Sequence, residues 1–540
     1  MNHTCETVKI HTNEGIPEST RRIGFSLNIN TCTIHAMNKK IIEKILTARV
    51  YDVAVETPLE LAKSLSKRLN NNIYLKREDL QAVFSFKLRG AFNCMFHLSD
   101  EEKSRGVVAA SAGNHAQGVA ISGEKLGIKT TIVMPKITPD IKVKGVESRG
   151  GKAVLVGNTF DDAYAYAMEL AEKEGLTFIH PFDNLDVIAG QGTIGMELLR
   201  QHQDPIDIIF IAVGGGGLIS GIASYIKYLS PSTKIIGVEH EEAPSMTEAF
   251  KQDKLVLLDS IGTFADGAAV RQAGVNTFKI AKKVVDEIIL VSTDETCAAI
   301  KDVFEETRTL LEPAGALATA GMKNYIKEHQ LENKQIITIT SGANINFDRL
   351  RHVAERAELG EKREAILAVT IPERPNSFKE FCSALGDRSI TEFNYRYSDS
   401  REAQVFTGVK LTKGDEEKEH IITTLKEKSY GVLDLTDNEL AKVHLRFMVG
   451  GHAQDVDNEV LYRFSFPERP GALLHFLTQM GGSWNISLFH YRNHGSDFGR
   501  VLTGIQVPPN ERPQFCKFLE DLGYDYWDET DNPAYQSFLR

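Results

Sequence analysis

Cysteine is sparse in this chain, and its spacing is unpaired. Cys5, Cys32, Cys94, Cys297, Cys382 and Cys516 form neither a disulfide framework nor a CxxC metal or redox site, which fits a reducing cytoplasm. The 16 histidines show no HExxH or comparable spacing, so no metal is expected. Positive charge is also in deficit: 62 Lys and Arg stand against 73 Asp and Glu, a net charge of −11. Without a basic run, neither nucleic acid nor an anionic membrane is an expected partner. A long apolar run is missing too. The longest uncharged stretch, 19 residues from Ile208 to Ile226, contains five glycines, four of them consecutive. It reads as strand, loop and helix rather than as a membrane span, and a soluble protein is expected. Residues 1–36 lack the apolar core of a secretory signal and fit an acid-poor transit peptide only weakly. They read as a disordered extension, or as an upstream start ahead of a real one at Met37.

The composition is that of a folded chain, 42% apolar and 25% charged over 540 residues, a length that suggests several domains. From about residue 50 to 345, short β-rich runs alternate with helical patterns. Val107–Ala110, Thr130–Met134, Ala153–Val156, Ile208–Val213, Ile235–Glu239 and Ile336–Thr340 are the candidate strands, with helices such as Asp161–Lys173 and Leu218–Leu229 between them. That alternation predicts an α/β unit with mostly parallel sheets over residues 37–350, and ligands at the carboxyl ends of its strands. Residues 351–364 carry eight charges in fourteen positions and read as a solvated connecting helix. Beyond them the sequence repeats itself. Ile371-Pro-Glu-Arg-Pro returns as Phe466-Pro-Glu-Arg-Pro at an offset of 95, and Ile390-Thr-Glu-Phe-Asn-Tyr-Arg as Ile486-Ser-Leu-Phe-His-Tyr-Arg at 96. Val405-Phe-Thr-Gly-Val and Asp434-Leu-Thr-Asp-Asn also recur, at 96 and 94. Two copies of one unit are therefore expected, at 365–437 and 459–530, each reading strand, helix, strand, strand, helix, strand in ferredoxin-like order.

Four segments carry chemistry. In Ser85-Phe-Lys-Leu-Arg-Gly, Lys87 lies between apolar neighbours, where an amine loses basicity and becomes a nucleophile toward an aldehyde; a surface lysine is the competing reading. Val107-Val-Ala-Ala runs into Ser111-Ala-Gly-Asn-His-Ala-Gln-Gly, a strand-to-helix junction whose small residues expose backbone N–H groups to a carboxylate, or simply cap the helix. Gly214–Leu218 follows a buried strand, and its four glycines leave N–H groups free to wrap a phosphate. It is neither GxGxxG, because position 219 is Ile, nor a P-loop, because no Gly-Lys-Ser/Thr follows. Ser341-Gly-Ala-Asn ends the last strand with a hydroxyl. An activated amine, a carboxylate cradle, a phosphate cradle and a hydroxyl are what pyridoxal phosphate and an amino acid require.

With these motifs the chain resembles fold-type II pyridoxal-phosphate enzymes and, more narrowly, the biosynthetic threonine dehydratase family, from about residue 50 to the C-terminus. The resemblance implies a catalytic domain over 37–350 followed by two ACT-like regulatory domains. It implies that Lys87 holds the cofactor and shuttles the α-proton, that Gly214, Gly215, Gly216, Gly217 and Leu218 bind its phosphate, and that Asn114 meets its phenolic oxygen. Phe86 would pack on the ring and Ser341 meet its nitrogen, while Ser111, Ala112, Gly113, Asn114 and His115 would receive the substrate carboxylate. Glu312 would lie near the ring or the leaving hydroxyl, or be structural. A serine at the ring nitrogen supplies no charge, so elimination is favoured over transamination. L-Threonine would yield 2-oxobutanoate and ammonia, the first committed step toward isoleucine, and L-serine would yield pyruvate.

Related serine racemases place an acidic pair on a divalent cation. Here Glu239 has only Ser245 as its counterpart, so no metal is expected. For the repeats, the resemblance implies isoleucine as feedback inhibitor, valine as antagonist and a homotetramer. Each repeat carries an aromatic–basic pair, Tyr395-Arg396 and Tyr491-Arg492, as effector candidates; tyrosines that merely pack the repeats together are the plainer reading. Serine racemase or dehydratase is the alternative within the cofactor class. A dinucleotide-dependent enzyme and a catalytically dead amino-acid sensor are alternatives outside it.

Overall fold

The computed structural model describes residues 39–540 apart from residues 137, 375, 387, 397–401, 439–440, 442–455, 468–471, 493–497, 533–534 and 536–540. The 1–36 extension and Met37 lie outside the described residues. The chain opens a sheet with β1 (Leu59–Leu61) and β2 (Asn72–Lys76). It then leaves to build a second sheet from β3 (Val107–Ala110), β4 (Thr130–Met134), β5 (Lys152–Leu155) and β6 (Thr177–Phe178). It returns to the first with β7 (Ile208–Ala212), β8 (Lys234–His240), β9 (Glu287–Val291) and β10 (Gln335–Ile339). The larger sheet has the order β1-β2-β10-β7-β8-β9 and the smaller β5-β4-β3-β6; every pairing is parallel except β1 on β2. β3 and β7 are buried along their whole length. Uninterrupted apolar runs suit strands covered by helices on both faces. β3 and β4 fall where the sequence places them, and β5 is shifted by one residue.

The helix after the catalytic region spans Leu350–Gly360, and the next strand begins at Glu364, so the connecting helix ends earlier than residue 364. It is not solvated all round. Val353 and Ala357 are buried in one apolar cluster with Cys297 of the Thr293–Thr307 helix. Arg356 pairs with Asp294 at 2.8 Å, and Lys301 with Glu358 and Glu361. Two small apolar residues four apart make one packed face, which the surrounding charges hide from a charge count.

β11 (Glu364–Pro372), β12 (Ile390–Arg396), β13 (Glu402–Lys410) and β14 (Gly431–Asp434) form the first repeat, with helices Ser377–Leu385 and Asp415–Glu427. β15 (Glu459–Pro467), β16 (Asn485–Arg492), β17 (Phe498–Gln506) and β18 (Asp525–Asp528), with helices Ala472–Met480 and Arg512–Leu522, form the second. Both follow strand, helix, strand, strand, helix, strand. The repeats join edge to edge through β12 and β16, with Tyr395 opposite Phe489, giving one eight-stranded antiparallel sheet. Aromatic rings close the seam: Phe378 and Phe393 stand 4.7 Å apart, and Phe393 and Phe489 5.7 Å.

Candidate active site

Lys87 opens the helix Lys87–Phe96. The loop ahead of it is pinned to the end of β10, because Ser85 bridges Gly342 and the Phe86 N–H donates to the Ser341 carbonyl at 3.3 Å. Two motifs 256 positions apart in sequence, Ser85 to Ser341, thus become one surface. The Lys87 ammonium lies 5.3 Å from the Phe86 ring centre and donates to the Pro181 carbonyl at 3.3 Å. Burial pushes its pKa down to about 8, against the opposing pull of Glu312, so roughly a tenth of the amine is unprotonated at pH 7, far more than for an ordinary lysine.

Two residues on, Arg89 enters a fully buried ion cluster. It pairs with Glu78 at 2.8 Å and Glu197 at 2.6 Å, and Glu197 also pairs with Lys76 at 2.6 Å. Tyr51 and Thr57 donate to the same carboxylates. Two cations balance two anions, so no net charge is stranded, and the start of the Lys87 helix is tied to β2 and to the Leu185–Gln201 helix.

The glycine loop leaves β7 and enters the Gly217–Leu229 helix through Gly216, whose φ of +90° disfavours any side chain. A Cβ on Gly215 would stand 2.3 Å from the Phe182 ring, so the turn lies flat on that aromatic. Thr277 Oγ1 fixes the Gly215 carbonyl at 2.6 Å. The loop therefore presents backbone at the positive end of a helix, which suits an anion. Opposite, Ser341 Oγ is buried and donates weakly to the Ala314 carbonyl at 3.4 Å. Phe86, Lys87, Asn114, Gly214–Leu218, Glu312 and Ser341 wall one cleft of about 580 Å³. The residues fit pyridoxal phosphate: an amine of lowered basicity for the aldehyde, a side-chain-free helix start for the phosphate, and an uncharged hydroxyl for the ring nitrogen.

Asn114 begins the Asn114–Leu126 helix after β3, and its side chain is held at both ends. Its Nδ2 donates to Glu312 Oε1 and its Oδ1 accepts from Asn344 Nδ2, both at 2.5 Å. Burial, then the Asp266 charge, pushes the Glu312 carboxyl up to about 7, with Asn114 opposing. Of the five residues expected to cradle a carboxylate, only Asn114 walls the cleft. Ser111 Oγ accepts from the Gly113 N–H at 3.2 Å within the turn. The His115 ring meets the Ile179 carbonyl at 2.8 Å, and burial drives its pKa down to about 3, leaving it neutral. Sequence reasoning missed Pro181, Phe182, Gln191 and Gly267 as wall residues. Of these only Phe182 left a signal, an aromatic shortly after a two-residue strand too short to register as a period.

Glu239 is buried at the end of β8. Both carboxylate oxygens accept from the start of the Ser245–Gln252 helix, from the Met246 N–H at 2.9 Å and from the Thr247 N–H at 2.7 Å. Among the described residues, no three or more His, Cys, Asp or Glu side chains converge as metal ligands. Of the effector candidates, Tyr395 is buried with its hydroxyl on Glu373, and Tyr491 is half-buried against the aromatic core. The side chains of Arg396 and Arg492 lie outside the described residues.

Comparison with known proteins agrees with this geometry. Residues 50–342 match the family of pyridoxal-phosphate dependent enzymes, and residues 355–445 and 450–539 each match the C-terminal regulatory domain of threonine dehydratase. The biosynthetic L-threonine dehydratase of Burkholderia multivorans is 53% identical over 501 residues, 92% of this chain and 99% of that one. Its Escherichia coli counterpart is 51% identical over 92% of this chain and 96% of its own length. Among solved structures, processed threonine deaminase isoform 2 from Solanum lycopersicum aligns with a TM-score of 0.59 at 51% identity, covering 60% of this chain and 89% of that one. The Dictyostelium discoideum serine racemase gives 0.52 at 32%, covering 57% and 99%. The dinucleotide alternative finds no support in these matches. A glycine loop facing an amine, followed by two regulatory repeats, places the chain in the family of biosynthetic threonine dehydratases, pyridoxal-phosphate-dependent lyases of fold type II.

Proposed function

We propose that this chain converts L-threonine to 2-oxobutanoate and ammonia, and L-serine to pyruvate, as the first committed step of isoleucine biosynthesis in the cytoplasm. The observation that carries this reading is the buried, weakly basic Lys87 amine in one cleft with Gly214–Gly217 and Ser341. Pyridoxal phosphate, when bound, supplies the electron sink that makes the substrate Cα–H acidic. Lys87 Nζ takes that proton, and its lowered pKa lets it act as a base near neutral pH. Ser341 leaves the ring environment uncharged, which favours loss of the β-hydroxyl over a lasting carbanion. Gly214–Leu218 would hold the cofactor's phosphate. Glu312 fixes the Asn114 amide, which would meet the cofactor's phenolic oxygen. The Ser111–His115 turn supports the substrate carboxylate through the helix start at Asn114.

The repeats lack a nucleophile or cofactor motif of their own, and we read them as an effector module responding to isoleucine, with valine as antagonist, in a homotetramer. The family match of both repeats supports regulation; the resemblance alone supports the assembly. The Leu350–Gly360 helix is the natural transmitter. It packs on the Thr293–Thr307 helix, whose end leads within five residues to Glu312. A 2-oxobutanoate assay with threonine, with and without isoleucine, tests both parts: no product overturns the activity, and product insensitive to isoleucine overturns the regulation.

A further inference from the structure

Gly214 to Gly217 have no side chains with which to hold the shape of their own loop, so its peptides are fixed from behind. The Gly215 carbonyl receives two donors, Thr277 Oγ1 at 2.6 Å and the Gly274 N–H at 3.3 Å. In a trans peptide the N–H points opposite to the carbonyl, so these donors also set the direction of the Gly216 N–H. Thr277 is fully buried, and its hydroxyl lies nearer to Gly215 than to its other carbonyl neighbour, Gly274, at 3.1 Å. It stands in the first turn of the Val275–Val284 helix, which has no acidic residue in that turn and no capping side chain of its own. The cap is supplied by Asp183, 94 positions before Thr277. Its carboxylate accepts from the Val275 N–H at 3.0 Å, the Asn276 N–H at 2.8 Å and the Thr277 N–H at 3.1 Å. Asp183 is anchored in turn, since its own N–H donates to His180 Nδ1 at 2.8 Å. Between these two residues, Pro181 offers its carbonyl to Lys87, and Phe182 backs Gly215 and Gly217.

We propose that Asp183 is a positioning residue for the phosphate site, acting through Thr277 on the Gly215–Gly216 peptide so that the Gly216 N–H is held toward the phosphate. This rests on the reading of Gly214–Leu218 as the phosphate cradle and names what keeps that cradle in shape. Asp183 does not wall the cleft, and its charge has the wrong sign to attract an anion. Its contribution is therefore geometric, spent on the start of the Val275–Val284 helix. Because the cap comes from the segment that follows the smaller sheet, His180–Asp183 keeps the cradle and the Lys87 amine in register with each other.

The test uses full-length holoenzyme carrying Asp183→Ala, Asp183→Asn, Thr277→Val or Thr277→Ser, and the double variant Asp183→Ala/Thr277→Val. Two quantities are read: the phosphorus-31 resonance of bound pyridoxal phosphate, and its rate of release after dilution into alkaline phosphatase, followed by the loss of visible absorbance. Asp183→Ala and Thr277→Val should each displace the resonance and speed release by about tenfold or more. Asp183→Asn keeps the Oδ1 that accepts from Asn276 and Thr277, and Thr277→Ser keeps the hydroxyl, so both should release within about threefold of wild type. Acting on one peptide, the two losses should not multiply, and the double variant should release about as fast as the faster single one. The Thr277 pair decides the matter even where Asp183→Ala fails to fold. An unmoved resonance in Thr277→Val, or multiplied effects in the double variant, overturns the proposal. Gly215→Ala, which drives a Cβ into Phe182, separates this failure from that of the underlying reading. If Gly215→Ala alone disturbs the resonance and release, only the positioning role falls; if it leaves both unchanged, the phosphate cradle falls with it.

Discussion

Glu312→Gln separates the electrostatic role of this side chain from its shape. The amide keeps the oxygen that accepts from Asn114 Nδ2 and removes the titrating proton. In the folded protein the carboxyl is fully buried and its pKa is pushed from 4.5 up to about 7, mainly by burial and then by the Asp266 charge. A raised carboxyl pKa means that the folded state holds its proton more tightly than the unfolded chain. Below about pH 4.3 both states are protonated and the favourable contribution is fully present. As pH rises toward 7, the unfolded chain ionises first and the contribution is lost; above 7 the deficit is constant. A shift of this size is worth roughly 3 kcal/mol. The variant lacks the group, so its stability relative to wild type should rise by about that amount between pH 4.5 and 8. At roughly 2–4 °C per kcal/mol for a unit of this size, the Tm difference should widen by about 6–12 °C. Differential scanning of both proteins, loaded alike with cofactor at pH 5 and pH 8, reads the difference directly. Threonine turnover should persist within about tenfold, because the Asn114 hydrogen bond survives. A Tm difference that stays the same at both pH values would refute the buried, near-neutral carboxyl on which this reasoning depends.

Lys87→Ala should remove turnover by at least a hundred- to ten-thousand-fold, the usual contribution of a positioned base, with an unchanged far-UV circular dichroism spectrum; near wild-type 2-oxobutanoate release would defeat the assignment. Ser341→Asp should raise racemisation or transamination relative to elimination, measured by product partition from serine; an unchanged partition means that Ser341 does not set the ring's charge. A chain ended after Lys362 should stay active and lose its isoleucine response, whereas one ended before Leu350 should unfold more readily, because it uncovers the cluster that Val353 and Ala357 close. Arg89→Met leaves Glu78 and Glu197 sharing only Lys76, and should cost about 3–5 kcal/mol, read as a lower Tm; a value near wild type would mean that the cluster relaxes without penalty.

What was legible in the sequence was continuous in it. Lys87, the Gly214–Gly217 loop and Ser341 each sit at a strand-to-helix or strand-end junction written within about ten residues, so local pattern and chemistry pointed the same way. Asn114 was legible as a candidate, but its bond to Glu312 spans 198 positions and joins the small sheet to the large one. No periodicity carries that information. Phe182 follows a two-residue strand and is found only through the glycines it supports. The Leu350–Gly360 helix misled for the opposite reason, since its charges outnumber the two residues that pack.

The repeats show the same boundary more sharply. Their offset of 94–96 predicts two copies of one fold, and both copies appear with the expected element order. The offset cannot say which edges meet. A repeat of this order has strands at both ends of its sheet, and several pairings would satisfy the same backbone donors. The pairing realised is β12 on β16, with Phe393 opposite Tyr491 and Tyr395 opposite Phe489, four aromatics on one face of the joined sheet. That choice carries the first repeat's Pro372–Ser377 turn onto Met480, Gly482 and Trp484 of the second. The approach is tight enough that a Cβ on Gly482, itself at φ +81°, would stand 2.3 Å from Asn376 Oδ1. Tyr395 sits in that seam, and its hydroxyl meets Glu373 of the neighbouring turn. A duplicated unit thus acquires an unlike pair of surfaces through the register of a single antiparallel seam, and in sequence the turn after β11 departs from its counterpart at Asn376-Ser377 against Gly471-Ala472.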